Sequence, residues 1–596
     1  MVNTTASGLK IGLEIHQRIG SGKLFCRCAA SIDTKKITTI KRLMHPVKSE
    51  FGEWDRSARF EQSRDLNFTY EIYENNCLVE LDEEPPHELD ADALNVCLWV
   101  AKSLNCKPVD IVQVMRKQVL DGSCVSGFQR TMLIATDGYI ETSKGRVSIQ
   151  TVCLEEESSG IVEKSGEATI YRLDRLGIPL IEIATCPDIK DGGQAREVAE
   201  HLGMLIRLTG KAQRGIGSIR QDVNISIPEC VRVEIKGAQE LELIPTLVAN
   251  EATRQHAMAE IAKKQREIGG IVPLITDVSD ILTQTACKFA AKALSEGKFA
   301  IAIKAKGYAG LLGTEIQPER RFGTELSDYA KFYGTTGILH SDENLIKYGF
   351  SENEITEIRK RLDCSEKDAF MLTLGTQKNA AQALEKVVER INQPGVLEET
   401  RKALPNGSNS FLRPLPGKAR LYPETDVYPI VIDKKAYAKL KKLDLEGEKA
   451  KLEKLLNPDL AGKIIRSPYL QLFYEYHKKA NPVTVATFLT DTVVALRREG
   501  VQLSEEMMRA VLALYGDGKI SQYAIPEVLK LAAAAKTQIS AIDRIVKENG
   551  LTLLSNDELE RIVKENEFNL GKIMSQYRLR VESEAVKKLI EKRGQN

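Results

Sequence analysis

Residues 219–236 read IRQDVNISIPECVRVEIK. Side chains alternate across an extended strand, so Val223, Ile225 and Ile227 point one way and Arg220, Asp222, Asn224 and Ser226 the other. After the turn at Pro228-Glu229-Cys230, Val231, Val233 and Ile235 alternate with Arg232, Glu234 and Lys236. The pattern predicts a hairpin with one apolar, packed face and one densely polar face. A solvated sheet face is the commoner origin of such a surface; the density of mixed charge makes a substrate-facing surface the alternative.

Outward from this hairpin, period-two segments recur at 145–155 and 169–185. Helical spacing appears at 91–105 and at 194–210, the latter ending at Gly210. The first part of the chain is therefore β-rich. Residues 240–268 read as a charged helix. From 271 to 400 a compact α+β pattern follows: the strand FAIAIKAKGYAGLLGTEI, the helix TELSDYAKFYG and the strand GILH, then helices. The proline-rich stretch at 401–432 reads as loops and an edge strand, closer in character to the first region than to 271–400. Beyond 434 the chain is helical and charged, with Leu440, Leu443, Leu452, Leu455 and Leu456 on one amphipathic run.

The expected fold class is thus α+β multidomain. A β-rich domain spans 1–270 and resumes at 401–435, interrupted by an α+β domain at 271–400. A helical domain at 436–540 and a small helical tail at 541–596 follow. A length of 596 residues suits about four such domains.

With 84 basic and 83 acidic residues, the formal net charge is +1. That excludes a globally basic nucleic-acid binder, so any grip on RNA must use local patches. The eleven cysteines are irregularly spaced, which points to free thiols in a reducing compartment. The opening MVNTTASGLK has no signal-peptide pattern, and no apolar run approaches the ~20 residues of a membrane span. A cytoplasmic protein without a membrane partner is expected.

Familiar nucleotide and hydrolase motifs are missing. Gly20-Ser21-Gly22-Lys23 is followed by Leu24 where a phosphate-binding loop needs Ser or Thr for Mg²⁺, so it reads as a turn. Cys26 and Cys28 form a C-x-C pair, but only isolated Cys77 and His87 follow; structural thiols are expected in preference to zinc.

The carboxylates are more informative. In IGLEIHQ (11–17), Glu14 and His16 share one face of a strand. Glu155, Glu156 and Glu157 end an apolar strand, where three adjacent carboxylates repel unless water or a cation neutralises them. Glu182 lies inside the apolar run Pro179–Ala184 and needs a partner: a cation, Arg172 or Arg175. Asp222 and Lys117 complete the set. A solvated polar pair or a charged turn accounts for each element alone. Together they fit a Mg²⁺–nucleotide site without a phosphate-binding loop.

Eight stretches carry a resemblance: 11–26, 77–87, 115–131, 153–158, 172–189, 217–227, 233–245 and 419–429. They include IGLEIHQRIGSGKLFC, MRKQVLDGSCVSGFQRT, RLDRLGIPLIEIATCPDI and ARLYPETDVYP. Their wording and order resemble the tRNA-dependent amidotransferase B/E family. The phrases GFQRT and GSIRQD point to its E-type members. So does the stretch GLLGTEIQPERRFGTELSDYAKFYGTTGILHSDE, which resembles the insertion domain of bacterial-type aspartyl-tRNA synthetases.

The resemblance implies a β-rich cradle domain with a kinase-type site, an aspartyl-tRNA-synthetase-like insertion domain, and helical and tail domains that grip tRNA. His16, Glu156 and Glu182 match the family's Mg²⁺ positions; Glu14, Lys117 and Asp222 match its other catalytic positions. ATP and Mg²⁺ are the implied cofactors, with Arg175 and Arg220 placed beside them. The implied reaction phosphorylates the side-chain carboxylate of glutamate carried on tRNA(Gln) and amidates it. Ammonia would come from an asparaginase-like, D-type partner in a D₂E₂ heterotetramer. Arg497, Arg498, Arg578, Arg580, Lys587, Lys588, Lys592 and Arg593 are the expected tRNA contacts, although for any one of them a solvated helix face is commoner. The rival readings are a non-catalytic tRNA-binding scaffold, a B-type subunit and a synthetase relative. The acidic strand cluster argues against the first, the insert against the second, and the flanking stretches against the third.

Overall fold

A computed structural model describes residues 8–32, 34–63, 66–165, 168–215, 217–534 and 541–593. The chain divides into two compact units, Met1–Leu443 and Asp444–Asn596.

The first unit is built on one long sheet. Its strands are β1 (Lys10–Arg18), β2 (Met115–Gln118), β3 (Phe128–Thr142), β4 (Gly145–Glu156), β5 (Pro179–Thr185), β6 (Ile219–Ser226), β7 (Val233–Lys236), β8 (Glu399–Ala403), β9 (Asn409–Pro414) and β10 (Leu421–Pro423). They run in the order β9-β8-β7-β6-β1-β5-β4-β3-β2-β10, with Lys107–Pro108 pairing on β3. Neighbours along this path are antiparallel except β7 and β8, which are parallel.

The 219–236 hairpin has the expected two faces. Val223 pairs with Ile235 and Ile225 with Val233, and all four are fully buried. They join Ile11, Leu13 and Ile15 of β1 and Ile181 and Ile183 of β5 in one core under two helices. These are α1 (Ala91–Ser103) and α2 (Gly192–Leu208). Asp90 and Asp191 cap them, accepting from the backbone N–H groups of Ala93 and Gln194 at 2.7 and 3.0 Å. Such caps contribute about 0.5–2 kcal/mol each. Helices therefore cover the apolar face and leave the polar face for a site. Val231 departs from the expectation: it precedes β7 and is 39% exposed.

The run 169–185 is not one strand. Ala168–Arg172 belongs to a separate four-stranded sheet with Lys36–Arg42, Asn67–Tyr73 and Gly160–Lys164, whereas Pro179–Thr185 is β5. Gly177, with φ of +83°, lies in the turn that separates them.

Helix α3 (Ile244–Ile268) leaves the sheet after β7. Its sequence reads as charged, yet Glu251, Arg254, Gln255 and Gln265 are buried. The region that follows has its own sheet, ordered Thr276–Asp277, Phe299–Ala305, Ala369–Gly375, Leu339–His340, with helices α4 (Phe322–Lys331) and α5 (Gln377–Ile391). Its core takes in Met258 and Ile261 of α3 beside Ile301, Leu326 and Leu384, so the insert begins to pack inside α3. The chain returns through β8, which starts at Glu399, and β9. The stretch at 401–432 thus rejoins the first sheet.

A dry charge network sits where insert and sheet meet. Arg254 of α3 bonds Glu251 at 2.8 Å and Glu325 of α4 at 3.0 Å. Arg401 of β8 grips Glu325 through two nitrogens, at 2.8 and 2.7 Å, and also bonds Glu399. Asn409 donates to Glu251 at 3.0 Å, and the Tyr329 hydroxyl donates to Glu399 at 2.6 Å.

The second unit has no strand among its described residues. Its helices include Pro458–Arg466, Val493–Arg498, Glu505–Gly516, Ile525–Ala534, Asn556–Glu565 and Ser583–Arg593. The expected border at 540/541 adjoins residues 535–540, which lie outside the described residues. Among the described residues no helix is long and apolar enough to cross a membrane.

Candidate active site

Strand register builds the site. His16 of β1 lies directly opposite Glu182 of β5 and Arg220 of β6, and Glu14 lies opposite Asp222. Opposed residues share a face, so these side chains project together from the sheet's polar side. They line a cavity of about 750 Å³ with Lys117, Arg175 and Asn224. Seven of the sequence-derived candidates thus meet in one place: Glu14, His16, Lys117, Arg175, Glu182, Arg220 and Asp222.

Glu156 does not join them. Glu182 pairs with Cys153 and Leu180 with Glu155, which turns Glu155 toward the cavity and Glu156 to the other side of β4. There Glu156 accepts from the Arg130 backbone N–H at 3.1 Å and lies 3.3 Å from its guanidinium. Burial pushes the Glu156 carboxyl above its ordinary range, against the pull of Arg130. The side chain beside the candidate metal residues is Glu155, bonded to Lys117 at 2.6 Å and to Gln129 at 3.2 Å.

Glu182 finds its partner in His16, with Nε2 and Oε2 3.2 Å apart. Arg172 instead bonds Asp174 at 2.9 Å, and Arg175 donates to the carbonyls of Ser158 and Ser159 at 2.9 and 3.0 Å. Burial opposes both charged forms of the His16–Glu182 pair. Their hydrogen bond and mutual attraction reverse this, raising the imidazole and drawing the carboxyl well below its usual range.

Glu14 is the strained member. Burial, then the charges of Glu234 and Glu182, push its carboxyl up to about 7. Donor atoms of Glu14, His16 and Glu182 lie within 4.8 Å of one another, as do those of Glu14, Asp222 and Glu234. Lys236 holds the second group together, at 2.6 Å from Asp222 and 2.8 Å from Glu234. Burial lowers the Lys236 ammonium and the two carboxylates more than offset this, leaving it raised. Glu234 is drawn down to about 2, with burial outweighed by Lys236 and by a hydrogen bond from Thr400.

Guanidinium groups gather at the other end. Arg220 bonds Glu157 at 2.9 Å, and Arg175 and Arg18 lie 4.0 and 3.9 Å from the same carboxylate. Three cations face one anion, so this end carries excess positive charge. Arg18 is 2% exposed, and its Nε and Nη1 have no hydrogen-bond partner.

Sequence reasoning named Glu155 only within a run of three carboxylates, from which the family resemblance picked Glu156, and did not single out Arg18, Glu234 or Lys236. The hairpin alternation already placed Glu234 and Lys236 on the polar face. Glu155 needed the β4–β5 register, which no single segment reveals.

A second cluster forms where only a C-x-C pair was legible. Donor atoms of Cys26, Cys28, Cys77 and Glu80 lie within 4.8 Å of one another. Cys26 donates to Glu80 at 3.1 Å, and Lys23 Nζ lies 2.9 Å from the same carboxylate. Burial, then the Glu80 charge, raises the Cys26 and Cys77 thiols. His87 is elsewhere, 2.9 Å from Glu84.

Of the expected tRNA contacts, Arg497, Arg498, Arg578, Lys587 and Lys588 are exposed and Arg580 is half-buried. Arg578 lies over the Tyr523 ring at 4.8 Å, and Arg580 donates to the Thr552 carbonyl at 3.2 Å. The side chains of Lys592 and Arg593 lie outside the described residues.

The family model described as the GatB/GatE catalytic domain matches residues 9–438, and that described as the GatB domain matches residues 471–590. The chain belongs to the GatB/GatE family. It is 44% identical over 548 residues to the E-type subunit of a glutamyl-tRNA(Gln) amidotransferase from Methanocaldococcus jannaschii, covering 89% of this chain and 87% of that protein. The E-type subunits of Archaeoglobus fulgidus and Sulfolobus acidocaldarius are 43% and 42% identical, with the same coverage of each chain.

Proposed function

We propose that this chain is the ATP-dependent subunit of a glutamyl-tRNA(Gln) amidotransferase. The observation that carries this reading is the convergence of Glu14, His16 and Glu182 within 4.8 Å of one another in a cavity that Lys117, Arg175 and Arg220 also line. A carboxylate cannot accept ammonia directly, because its oxygen leaves poorly. The side-chain carboxylate of tRNA-bound glutamate would attack the γ-phosphorus of ATP, releasing ADP and forming an acyl phosphate. Ammonia would then attack the acyl carbon, lose a proton and expel phosphate, leaving the glutamine amide.

Two carboxylates and an imidazole converging within 4.8 Å suit a hard cation, so Glu14, His16 and Glu182 fit Mg²⁺, with Glu155 beside them. Bound Mg²⁺ supplies neutralisation of charge on phosphoryl oxygens. Arg175 and Arg220 would hold the polyphosphate, with buried Arg18 behind Glu157, and Lys117 would steady charge on the transferring group. The polar face of β6 and β7 would receive ammonia from an asparaginase-like, D-type partner, in an assembly of two copies of each chain. The basic residues of the helical unit would bind tRNA(Gln), and the insert would keep the aspartyl-tRNA-synthetase-like fold its sequence resembles.

The test is glutaminyl-tRNA formation by the purified chain with ATP, Mg²⁺ and ammonium, beside a Glu182→Ala variant. Turnover that needs glutamyl-tRNA(Gln) and disappears in the variant supports the proposal. Binding of tRNA without ATP turnover, even with the ammonia-supplying partner present, sinks it and favours a tRNA-binding scaffold.

A further inference from the structure

The parallel pairing of β7 and β8 requires a crossover connection, because a hairpin joins only antiparallel strands. Here the crossover is α3 and the entire insert, which lie between Lys236 and Glu399. No tight turn therefore fixes β8 against β7. Beyond its ladders to β7 and β9, its position depends on what holds it from the insert side.

The charge network does this. Arg401 of β8 is clasped by Glu325 of the insert, and Glu399 of β8 accepts from Tyr329 of the same insert helix. Glu325, Arg401 and Arg254 are fully buried. Between Glu399 and Arg401 stands Thr400, also fully buried, whose neighbours in the strand face the insert. Its own hydroxyl turns the other way and donates to Glu234 Oε2 at 2.8 Å. Glu234 bonds Lys236 at 2.8 Å, and Lys236 bonds Asp222 at 2.6 Å. Two sets of polar bonds thus meet on β8: one from the insert helix ends on Glu399 and Arg401, the other runs from Thr400 to the carboxylate end of the cavity, and the strand backbone joins them. The sheet is irregular at the same point: Thr400 faces Arg413 while Arg401 faces Phe411, so Leu412 is an extra residue on β9. Bulges of this kind re-aim side chains beside sites, and Arg413 lines the cavity.

We propose that the insert is a strut for the active site, and that Thr400 is the positioning residue through which it sets Glu234 and Lys236. The function of the cavity rests on the reading above; the coupling does not, because it can be measured on Lys236 without turnover. Without the Thr400 hydroxyl, Glu234 keeps its bond to Lys236 and the attraction of Arg413, and gains freedom to draw Lys236 away from Asp222. The insert would then act on catalysis without touching a reactant.

The experiment compares the full-length wild type with Thr400→Val, Thr400→Ser and Glu325→Gln. Two readouts are taken: acetylation of Lys236 by a water-soluble reagent, followed by mass spectrometry, and kcat and KM for glutamyl-tRNA(Gln) with ammonium. Thr400→Val, nearly the same size, is expected to raise Lys236 acetylation several-fold and lower kcat about tenfold, with KM for tRNA unchanged. Thr400→Ser restores both, because it keeps the donor. Glu325→Gln reproduces both effects from the insert side, and adding Thr400→Val to it costs less than the product of the two. Unchanged Lys236 acetylation in Thr400→Val and Glu325→Gln overturns the proposal, as does an equal loss in Thr400→Val and Thr400→Ser. An inactive wild type whose Lys236 acetylation follows the predicted pattern leaves the strut standing and removes only the functional reading.

Discussion

Two groups of buried charge sit on the first unit, and they are built on opposite plans. Around Arg254 and Arg401 the charges close on one another: Glu251, Glu325 and Glu399 are each met by a guanidinium. In the cavity the pairing is uneven: seven carboxylates and seven Lys or Arg side chains line it, yet the hydrogen bond to Glu14 comes from neutral Asn224, and its carboxyl is pushed up to about 7. Both groups lie in low dielectric, where unbalanced charge is costly. The closed group spends its pairing on holding a domain in place. The open group leaves Glu14 crowded by Glu234 and Glu182, a repulsion that an incoming cation relieves.

The sharpest break between the two comes from neutralising one carboxylate in each. Glu14→Gln is expected to cut turnover by about 10²–10³-fold while leaving stability unchanged or raising it by about 1 kcal/mol, because it relieves repulsion. Single-turnover amidation and urea denaturation measure the two quantities. Glu325→Gln should do the reverse in stability, costing about 3–5 kcal/mol, since Arg254 and Arg401 lose their shared partner.

Next in size is a contrast within three residues. Glu155→Gln, on the cavity side, is expected to lower kcat about 10–100-fold. Glu156→Gln, on the Arg130 side, should leave kcat within a few-fold of wild type and act mainly on stability, by about 1–3 kcal/mol. Equal effects on kcat would erase the distinction between the two sides of β4.

The pH dependence of stability sharpens the same comparison. Burial opposes the charge on Glu325, but Arg401 and Arg254 draw it well below its reference value of 4.5. A carboxylate lowered in the folded state contributes stability that is present above the unfolded value and lost as pH falls through the folded one. The urea midpoint of the first unit should therefore fall steadily below about pH 4.5, and Glu325→Gln should flatten that slope. The smallest effect concerns the second unit. Replacing exposed Lys587 and Lys588 with Ala should weaken tRNA binding a few-fold and lower its salt slope by about 0.7–0.9 for each phosphate no longer neutralised, measured by filter binding.

How far the sequence could be read depended on range. The alternation in 219–236 was legible because polar and apolar residues alternate without a break from Asp222 to Ile227 and again from Val231 to Lys236. The members of the cavity were legible as residue types on strands. Glu155 against Glu156 was not, because the choice follows from which residue of β5 lies beside β4, a relation between segments. The run 169–185 hid its break because both halves alternate, and only the turn around Gly177 separates two strands that serve different sheets. Helix α3 looked like a solvated charged helix. Its Glu251 and Arg254 are paired with residues roughly 70 to 160 positions away, and such partners leave no local signature. Cys77 and Glu80 likewise join Cys26 and Cys28 only through the fold.

The parallel β7–β8 pair also orders events during synthesis. When Lys236 leaves the ribosome, β7 is an open edge, and its partner does not exist until Glu399 has been made. At about 5–20 residues per second, the nascent chain waits roughly 8–30 s with that edge unpaired. The insert completes its sheet and core only as the interval closes, because its strand Ala369–Gly375 and helix α5 are made last, and its docking then delivers β8. A chain stopped within the insert would keep a bare strand edge with Glu234 and Lys236 half-supported, a state suited to capture by chaperones and to pairing with other unfinished chains.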